Sequence, residues 1–372
     1  MELWLLDRDL KSVKVIDVYK SFIWTDRYSE YGDFEIYIPI NLIDINDFQK
    51  EYYLWNSDSE HLMILESFSV NSELDEGTHF GIIGRSLESL LTRRVVWKKT
   101  SFTDDYNLQN GIQKLLEENI IKPETNARKI DNFIFEPSND PRITKLTFEA
   151  QYFGEELYTI IHNLCVEHDI GFKVTLNNIG QFVFKLYKGT DRSYEQTENP
   201  YVIFSPKFDN LIGSNYVDSV RTLKNVALVA GESIDDPENK DETIRETYVV
   251  NTASNITGIS RREVYVDASG VSRDMDSDTK LTEPQYQAHL RQKGIDALIE
   301  NCEIKAFEGE VNDRIMYKYG IDYFLGDVVQ IANDYGHEGQ AYVSEFIMSY
   351  DQQGSSVYPT FINIQKGVYD VE

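Results

Sequence analysis

Cysteine is almost missing from the 372 residues: only Cys165 and Cys302 occur. Two thiols without paired spacing exclude the disulfide framework of a small secreted domain, so a reducing, cytosolic place of synthesis is expected. Proline is also scarce, at 9 residues, against 24 Tyr and 19 Phe, a balance that favours sheet surfaces on which rings pack across strands. No apolar run approaches the roughly 20 residues that cross a bilayer. The opening Met1-Glu2-Leu3-Trp4-Leu5-Leu6-Asp7-Arg8 becomes charged too early for the apolar core of a signal peptide. A soluble chain that is not exported, with no membrane insertion of its own, is expected. Positive charge is short as well: 36 Lys and Arg stand against 63 Asp and Glu, a net charge of −27. Affinity for nucleic acid rests on Lys and Arg displacing counterions from phosphate, so sequence-specific binding of DNA or RNA is not expected. The same acidity suits a wall that DNA slides past without sticking, or simply a solvated acidic surface.

What remains is a globular composition, 41% hydrophobic and 27% charged, in a chain long enough for two to four domains. Its first hundred residues predict strands at Leu3 to Leu6, Val13 to Tyr19 and Phe34 to Ile38, followed by a hairpin of His61 to Val70 and Thr78 to Ile83 around Leu74-Asp75-Glu76-Gly77. The period then changes. Leu108, Ile112, Leu115 and Leu116 form one helical stripe, and Leu157, Ile160, Ile161, Leu164 and Cys165 form a second, closed at Asp169-Ile170-Gly171 by a left-handed glycine. A hairpin follows, from Phe172 to Leu176 and back from Gln181 to Tyr187 through Asn177-Asn178-Ile179-Gly180. Strands resume at Tyr201 to Phe204 and Val226 to Ala230, before an acidic loop from Glu232 to Glu242. A third helix spans Thr282 to Asn301, opened by a capping box of Thr282 and Gln285 with Pro284 in its first turn. The remaining residues alternate through Val328 to Ile331, Gln340 to Tyr350 and Tyr358 to Ile364, with turns at Asn333 to Gly339 and Asp351 to Gly354. The fold class is therefore α+β and predominantly β. No primary-sequence repeat is visible, although β-domains at the two ends could share a fold without sharing sequence.

Motifs for chemistry are weak. His162, Cys165 and His168 lie three apart, but each step of three turns a helix by roughly 300°, so the first and last diverge. Packing accounts for Cys165, and the last helical carbonyls account for His168. Glu149, Glu155, Glu156 and Asp169 could furnish the two carboxylates of a glycosidase, although a helix start already explains Glu155 and Glu156. No nucleophile elbow, phosphate loop or dinucleotide fingerprint occurs. The basic patch Arg93, Arg94, Lys98 and Lys99, with Trp97 inside it, could touch nucleic acid; on so acidic a chain it is expected instead to meet an acidic surface of this chain or of a neighbour. Catalytic, metal-binding and cofactor-binding residues, and any cofactor, are therefore expected to be none.

Several segments resemble the siphovirus Gp37-like tail protein family: Met1-Glu2-Leu3, Ile23-Trp24-Thr25-Asp26-Arg27-Tyr28, Gly32-Asp33-Phe34-Glu35, and Gly84-Arg85-Ser86-Leu87-Glu88-Ser89-Leu90-Leu91 with Arg93-Arg94. In the same order follow Ala127 to Asn132, Asn199 to Ser205, Asn225 to Glu232, Arg261-Arg262-Glu263, Met316 to Gly320 and Phe324-Leu325-Gly326-Asp327-Val328-Val329. The likeness runs over nearly the whole chain. It implies a phage baseplate or tail-tip hub: a homotrimer in which two tail-tube-like β-barrels per subunit, with α+β inserts, make a ring of six around a channel, so that a three-fold tip docks onto six-fold tail rings. On this chain the implied domains are 1–100 with 201–232 as the first barrel, 101–200 as an α+β insert, 233–305 as a small α+β segment, and 306–372 as the second barrel. The implied partners are a second and third copy, the distal tail protein ring, the tape-measure protein, and tail fibres or lytic tip proteins. The implied place is the virion tail tip, assembled in the host bacterial cytoplasm. The chain stops soon after Thr360-Phe361-Ile362-Asn363-Ile364, so any lytic domain is expected to be a separate protein. The alternatives are a tail-associated cell-wall hydrolase using a carboxylate pair, and a receptor-binding or saccharide-binding module with an aromatic groove.

Overall fold

The computed structural model describes residues 2–73, 77–236, 242–275, 279–311, 316–332, 338–351, 354–363 and 370–371. The expected turn residues 74–76, the core of the acidic stretch (237–241), most of the turn at 333–339, the turn residues 352–353, and Ile364 lie outside these.

Strands dominate, as the alternating pattern predicts. The N-terminal part supplies β1 (Leu3–Leu6), β2 (Ser12–Ile16), β3 (Ser21–Arg27), β4 (Asp33–Pro39), β5 (Tyr53–Asn56), β6 (Leu62–Glu73) and β7 (Gly77–Ser86). The insert begins with β8 (Thr100–Asn107) and α1 (Leu108–Leu116), then β9 (Phe133–Glu136), the single turn α2 (Pro141–Thr144), β10 (Thr147–Tyr152), α3 (Leu157–Glu167), β11 (Gly171–Leu176) and β12 (Phe182–Tyr187). Next come β13 (Ile203–Phe204), β14 (Leu211–Ser219), β15 (Val226–Asp235), β16 (Thr243–Asn251), β17 (Glu263–Asp267) and α4 (Glu283–Ile299). The chain closes with β18 (Ile304–Val311), β19 (Val328–Ala332), β20 (Glu338–Asp351), β21 (Gly354–Asn363) and β22 (Asp370–Val371). Helix α4 carries the expected capping box of Thr282 and Gln285, which satisfies orphan N–H groups at both positions.

Strands from both ends of the chain merge into one 13-stranded sheet, in the order β14-β18-β21-β20-β3-β4-β7-β6-β5-β1-β2, with β13 and β19 attached beside β20. Among the described residues this sheet does not close into a barrel. One core lies against it. Trp24, Phe34, Leu54 and Phe80 from the N-terminal strands share it with Phe204, Phe307, Val343 and Phe361 from the C-terminal ones. Aromatic pairs such as Phe204 and Phe361, 4.9 Å between centroids, add to the roughly 1.5–3 kcal/mol that each fully buried side chain contributes.

One strand pattern occurs twice in the sheet. Strands β3, β4, β7, β6 and β5 lie side by side in that order, and so do β14, β18, β21, β20 and β19. Each pattern holds a long antiparallel hairpin with a bulge at one position: between Leu65 and Ser67 in β6, and between Val343 and Glu345 in β20. Matching the bulges brings the remaining ladders into register as far as Gly213, where β14 carries a further bulge that β3 lacks. Phe34 opposite Gly84 corresponds to Phe307 opposite Phe361, and Tyr53 opposite Ile64 corresponds to Val328 opposite Tyr342.

Two expectations are corrected here. Residues 201–232 do not complete the N-terminal unit: β13 pairs with β19, β14 pairs with β18, and β15 belongs to a separate four-stranded sheet with β16, β17 and β22. Short strands read from local alternation carry no information about a partner a hundred residues away. The acidic stretch is not all loop, because Glu232 to Asp235 prolongs β15 beyond a bulge.

The insert has its own core, in which Leu62 and Ile64 from β6 meet Leu87, Ile112, Leu164, Cys165 and Phe184. Helix α4 packs on the four-stranded sheet through Leu290, Ile295 and Leu298 against Val229 and Val250. The left-handed residue that ends α3 is Asp169 at φ 53°, and not Gly171; aspartate tolerates that region better than most residues. Gly171 serves another purpose. A Cβ there would stand 2.3 Å from the Tyr28 ring, and one at Gly326 would stand 2.2 Å from it, so Tyr28 is gripped between the insert and the C-terminal strands. Gly171→Ala is therefore expected to destabilise the protein by about 1–3 kcal/mol through overpacking. Gly326→Ala should cost more, because its φ of +83° adds backbone strain. Urea midpoints measure both, and wild-type midpoints in the two variants would mean that the ring has room to move.

Candidate functional site

Four of the segments that carried the family resemblance, Ile23 to Tyr28, Gly32 to Glu35, Gly84 to Leu91 and Phe324 to Val329, lie at the seam where β3, the β6–β7 hairpin, the insert and the start of β19 meet. Arg27, at the end of β3, places Nε 2.5 Å from Glu345 Oε1 on β20 and Nη1 2.6 Å from Asp33 Oδ2. Burial works against its charge, but hydrogen bonds to Glu345 and Asp33 outweigh that and raise the guanidinium pKa. Gly32 and Ser86 are laced together: the Gly32 N–H donates to Ser86 Oγ at 2.7 Å, and the Ser86 N–H donates to the Gly32 carbonyl at 2.9 Å. On the other side of Tyr28, Asp327 accepts from the Thr190 N–H at 2.6 Å and from Arg192 Nε at 2.8 Å. Two Gly-Asp steps thus anchor the two ends of the seam.

Behind β3 lies a buried charged cluster. Asp26 accepts from Trp24 Nε1 and from Ser59 Oγ, each at 2.8 Å. His61 Nδ1 lies 3.1 Å from Glu88 Oε1, which also accepts the Val174 N–H at 2.6 Å. Asp26, His61 and Glu88 are all at most 2% exposed. Desolvation pulls the imidazole pKa down, but the carboxylates of Glu88 and Asp26 outweigh it and raise it to about 9. For Glu88, desolvation is likewise overcome, by the charge and hydrogen bond of His61, and its pKa falls. Asp26 is raised by burial. The His61 backbone N–H also donates to Ser59 Oγ at 3.0 Å, so a chain of contacts from Asp26 through Ser59, His61 and Glu88 to the Val174 N–H ties β3 to the insert strand β11.

The chemistry candidates are held apart by separate partners. His162 Nδ1 lies 2.8 Å from the Ser29 carbonyl and its ring stacks on Tyr158. Cys165 is buried in the insert core. His168 lies 3.0 Å from the Leu164 carbonyl and 3.1 Å from that of Thr147, so it meets the last turn of α3 as expected. Among the described residues no group of three or more His, Cys, Asp or Glu is placed to hold a metal ion. Glu149 accepts the Asp105 N–H, Glu155 pairs with Lys293, Glu156 accepts from Thr159, and Asp169 pairs with Lys188. A cavity of about 210 Å³ beside Glu149 and Glu167, with Arg291 and Gln292 on its wall, falls below the ~300–1,000 Å³ typical of small-molecule sites. Of the basic patch, Arg93 meets acids of this same chain, reaching Glu51 at 2.6 Å and Glu66 at 3.5 Å, whereas Arg94 donates to the Arg128 carbonyl at 2.8 Å. Arg128 covers the Trp97 ring at 4.2 Å, and Lys99 donates to the Asp274 carbonyl.

Comparison with known proteins completes the picture. Solved structures similar in fold include the 43 kDa tail protein of prophage MuSo2 from Shewanella oneidensis, with a TM-score of 0.57 at 11% identity over 98% of both chains. They also include the tail protein from Neisseria meningitidis MC58, with a TM-score of 0.54 at 11% identity over 98% of this chain and 97% of that one. A third is the prophage tail protein gp18 from Listeria monocytogenes, with a TM-score of 0.52 at 14% identity over 98% and 95%. The fold is thus that of prophage tail proteins. Residues 2–361 match the family described as Siphovirus ReqiPepy6 Gp37-like protein. The chain belongs to that family, as the resemblance of its motifs implied. No curated protein matches the chain by sequence. No helix among the described residues is long and apolar enough to cross a membrane.

The charged cluster was not foreseen, although an inward-facing Asp26 on the same face as Phe22 and Trp24 was a signal for it. Its pH dependence follows from the signs. His61, raised from 6.5 to about 9, contributes stability that is fully present below pH 6.5 and is lost as pH rises through 9. Glu88, lowered from 4.5, contributes stability that is present above pH 4.5 and is lost in acid, while Asp26 acts in the opposite sense to Glu88. His61→Gln is expected to cost roughly 3–5 kcal/mol near pH 6, because it leaves buried carboxylates without their cation. The deficit should shrink by pH 9.5. Urea unfolding at the two pH values decides, and an equal deficit at both would mean that His61 is neutral in the folded protein.

Proposed function

We propose that this protein is the hub subunit of a phage tail tip: a structural, non-enzymatic component of the virion that assembles as a homotrimer. The observation that carries this reading is the doubled strand pattern, β3-β4-β7-β6-β5 and β14-β18-β21-β20-β19, with its shared bulge. Two such units in each of three chains present six near-equivalent faces, which is what a three-fold tip needs in order to seat on a six-fold tube. The units take the place of the two tube-like barrels that the family resemblance implies, with barrel closure supplied by the assembled ring.

In this reading the insert and the four-stranded sheet hang outside the ring and give footing to fibres or lytic tip proteins. The distal tail protein ring lies on one rim, and tape-measure protein and DNA pass through the bore. A chain with a net charge of −27 suits such a bore, because a wall without cationic phosphate contacts leaves DNA mobile. The seam of Arg27, Asp327, Tyr28 and the His61 cluster then serves as mechanical bracing. That Glu149, Glu155, Glu156 and Asp169 each engage a separate partner supports the structural reading over that of a two-carboxylate hydrolase built on them.

Mass and shape in solution test the proposal. Light scattering at tens of micromolar is expected to give three times the 43.2 kDa of the chain, and negative-stain images a three-fold annulus. A chain that stays monomeric at that concentration, alone and with tail partners, overturns it.

A further inference from the structure

The repeat fixes more than the number of units, because one unit has a neighbour on the same chain and the other lacks it. Strand β20 divides one of its edges between two partners: residues 338–342 pair with β19, and Glu345 to Tyr350 pair with β3. The equivalent strand, β6, uses Leu62 to Ile64 for β5, and the backbone of Leu65 reaches Glu51 and Tyr52. From Ser67 onward, that same edge has no strand beside it among the described residues. Among the described residues, strand β14, the counterpart of β3, ends the sheet and has β18 as its strand neighbour. Among the described residues, one unit thus carries a slot with no strand in it, and the other a strand edge of the kind that fills such a slot.

We propose that β14 of one subunit pairs antiparallel with residues Ser67 to Ser72 of β6 in the next subunit, repeating between chains the β3–β20 junction found within one. This rests on the hub reading and names the surface through which that trimer closes. The register is read from the internal junction. Met348 opposite Trp24 and Ser349 opposite Ile23 translate, through the bulge and through the pairings of β3 and β14 with β4 and β18, into Val70 opposite Tyr216 and Asn71 opposite Asn215. Ser72 then faces Ser214, and Ser69 faces Val217.

Three observations support this register. Faces agree: Phe68 and Tyr216 both pack against the central core, so Phe68, Val70 and Ser72 fall on the same side as Ser214, Tyr216 and Asp218, whereas a slip of one residue would set them opposed. Local chemistry repeats: Trp24 donates to Asp26 two residues on, and the Tyr216 hydroxyl donates to Asp218 at 3.3 Å, again two residues on. Burial differs in the sense expected for a missing cover. Met348 is 5% exposed under β3, while its counterpart Val70 is 54% exposed, and Val217 is 37% exposed where its counterpart Thr25 is 3%. Exposed β-edges of this length invite pairing with another chain, and head-to-tail contacts of this kind generate a ring when the rotation closes. Three junctions within chains and three between them would alternate around it.

Cross-linking tests the pairing. Full-length chains carrying Asn71→Cys or Asn215→Cys, each with Cys302→Ser to remove the exposed native thiol and each with its own tag, are co-expressed and mildly oxidised. Directly opposed residues lie about 4.5–5.5 Å apart between Cα atoms, within disulfide reach. A covalent heterodimer at least tenfold above a control pair of Asn71→Cys with Ser219→Cys is expected, since four residues of offset put the control thiols roughly 13 Å apart along the strand. Trimers in which the 71–215 pair links no better than the control overturn this pairing and leave the hub reading standing. A persistent monomer overturns both.

Discussion

The architecture depends on β20 holding β3. One strand of 14 residues gives its first third to β19 and its second half to a strand more than 300 residues away in sequence. That division makes a single sheet, and a single core, out of two ends of the chain. The bulge at Ser344 makes it possible, because a bulge bends its strand and sharpens the local twist, turning the latter half of β20 away from β19 and towards β3. The ion pair of Arg27 with Glu345 sits at the first residue of the junction and marks where the change of partner occurs.

Much of this was legible residue by residue. Alternation located most strands, the capping box placed the start of α4, and the Asn-Asn-Ile-Gly turn placed the β11–β12 hairpin, because each of these signals is local. Partner choice was not. The sequence around Leu211 to Ser219 alternates weakly, and nothing in it names β18 as its neighbour. The repeat escaped notice for a related reason: a pleated strand asks only for the right face at each position, so Phe34 and Phe307 agree, while Gly84 and Phe361 fill matching positions with opposite sizes. Of the family motifs, the glycines and the aspartates were visible as residues, but their joint task around Tyr28 and Arg27 required three dimensions.

The seam also explains why charge is tolerated inside a chain with so large an excess of acid. A carboxylate buried alone would take up a proton; against that desolvation, the charge and hydrogen bond of His61 and the Val174 N–H lower the pKa of Glu88. In return His61 is kept charged well above its ordinary range. Each group is thereby dependent on the other, and both depend on the insert being docked, since the N–H of Val174 comes from there.

The grip on Tyr28 has a mechanical side. Its ring is clasped by one glycine from the insert and one from the start of β19, so these two parts cannot slide past each other without first withdrawing an aromatic wedge. The insert and the large sheet are thereby locked together through one side chain. In the hub proposed above, that stiffness would turn a sideways tug at the periphery into a squeeze on the wall of the bore.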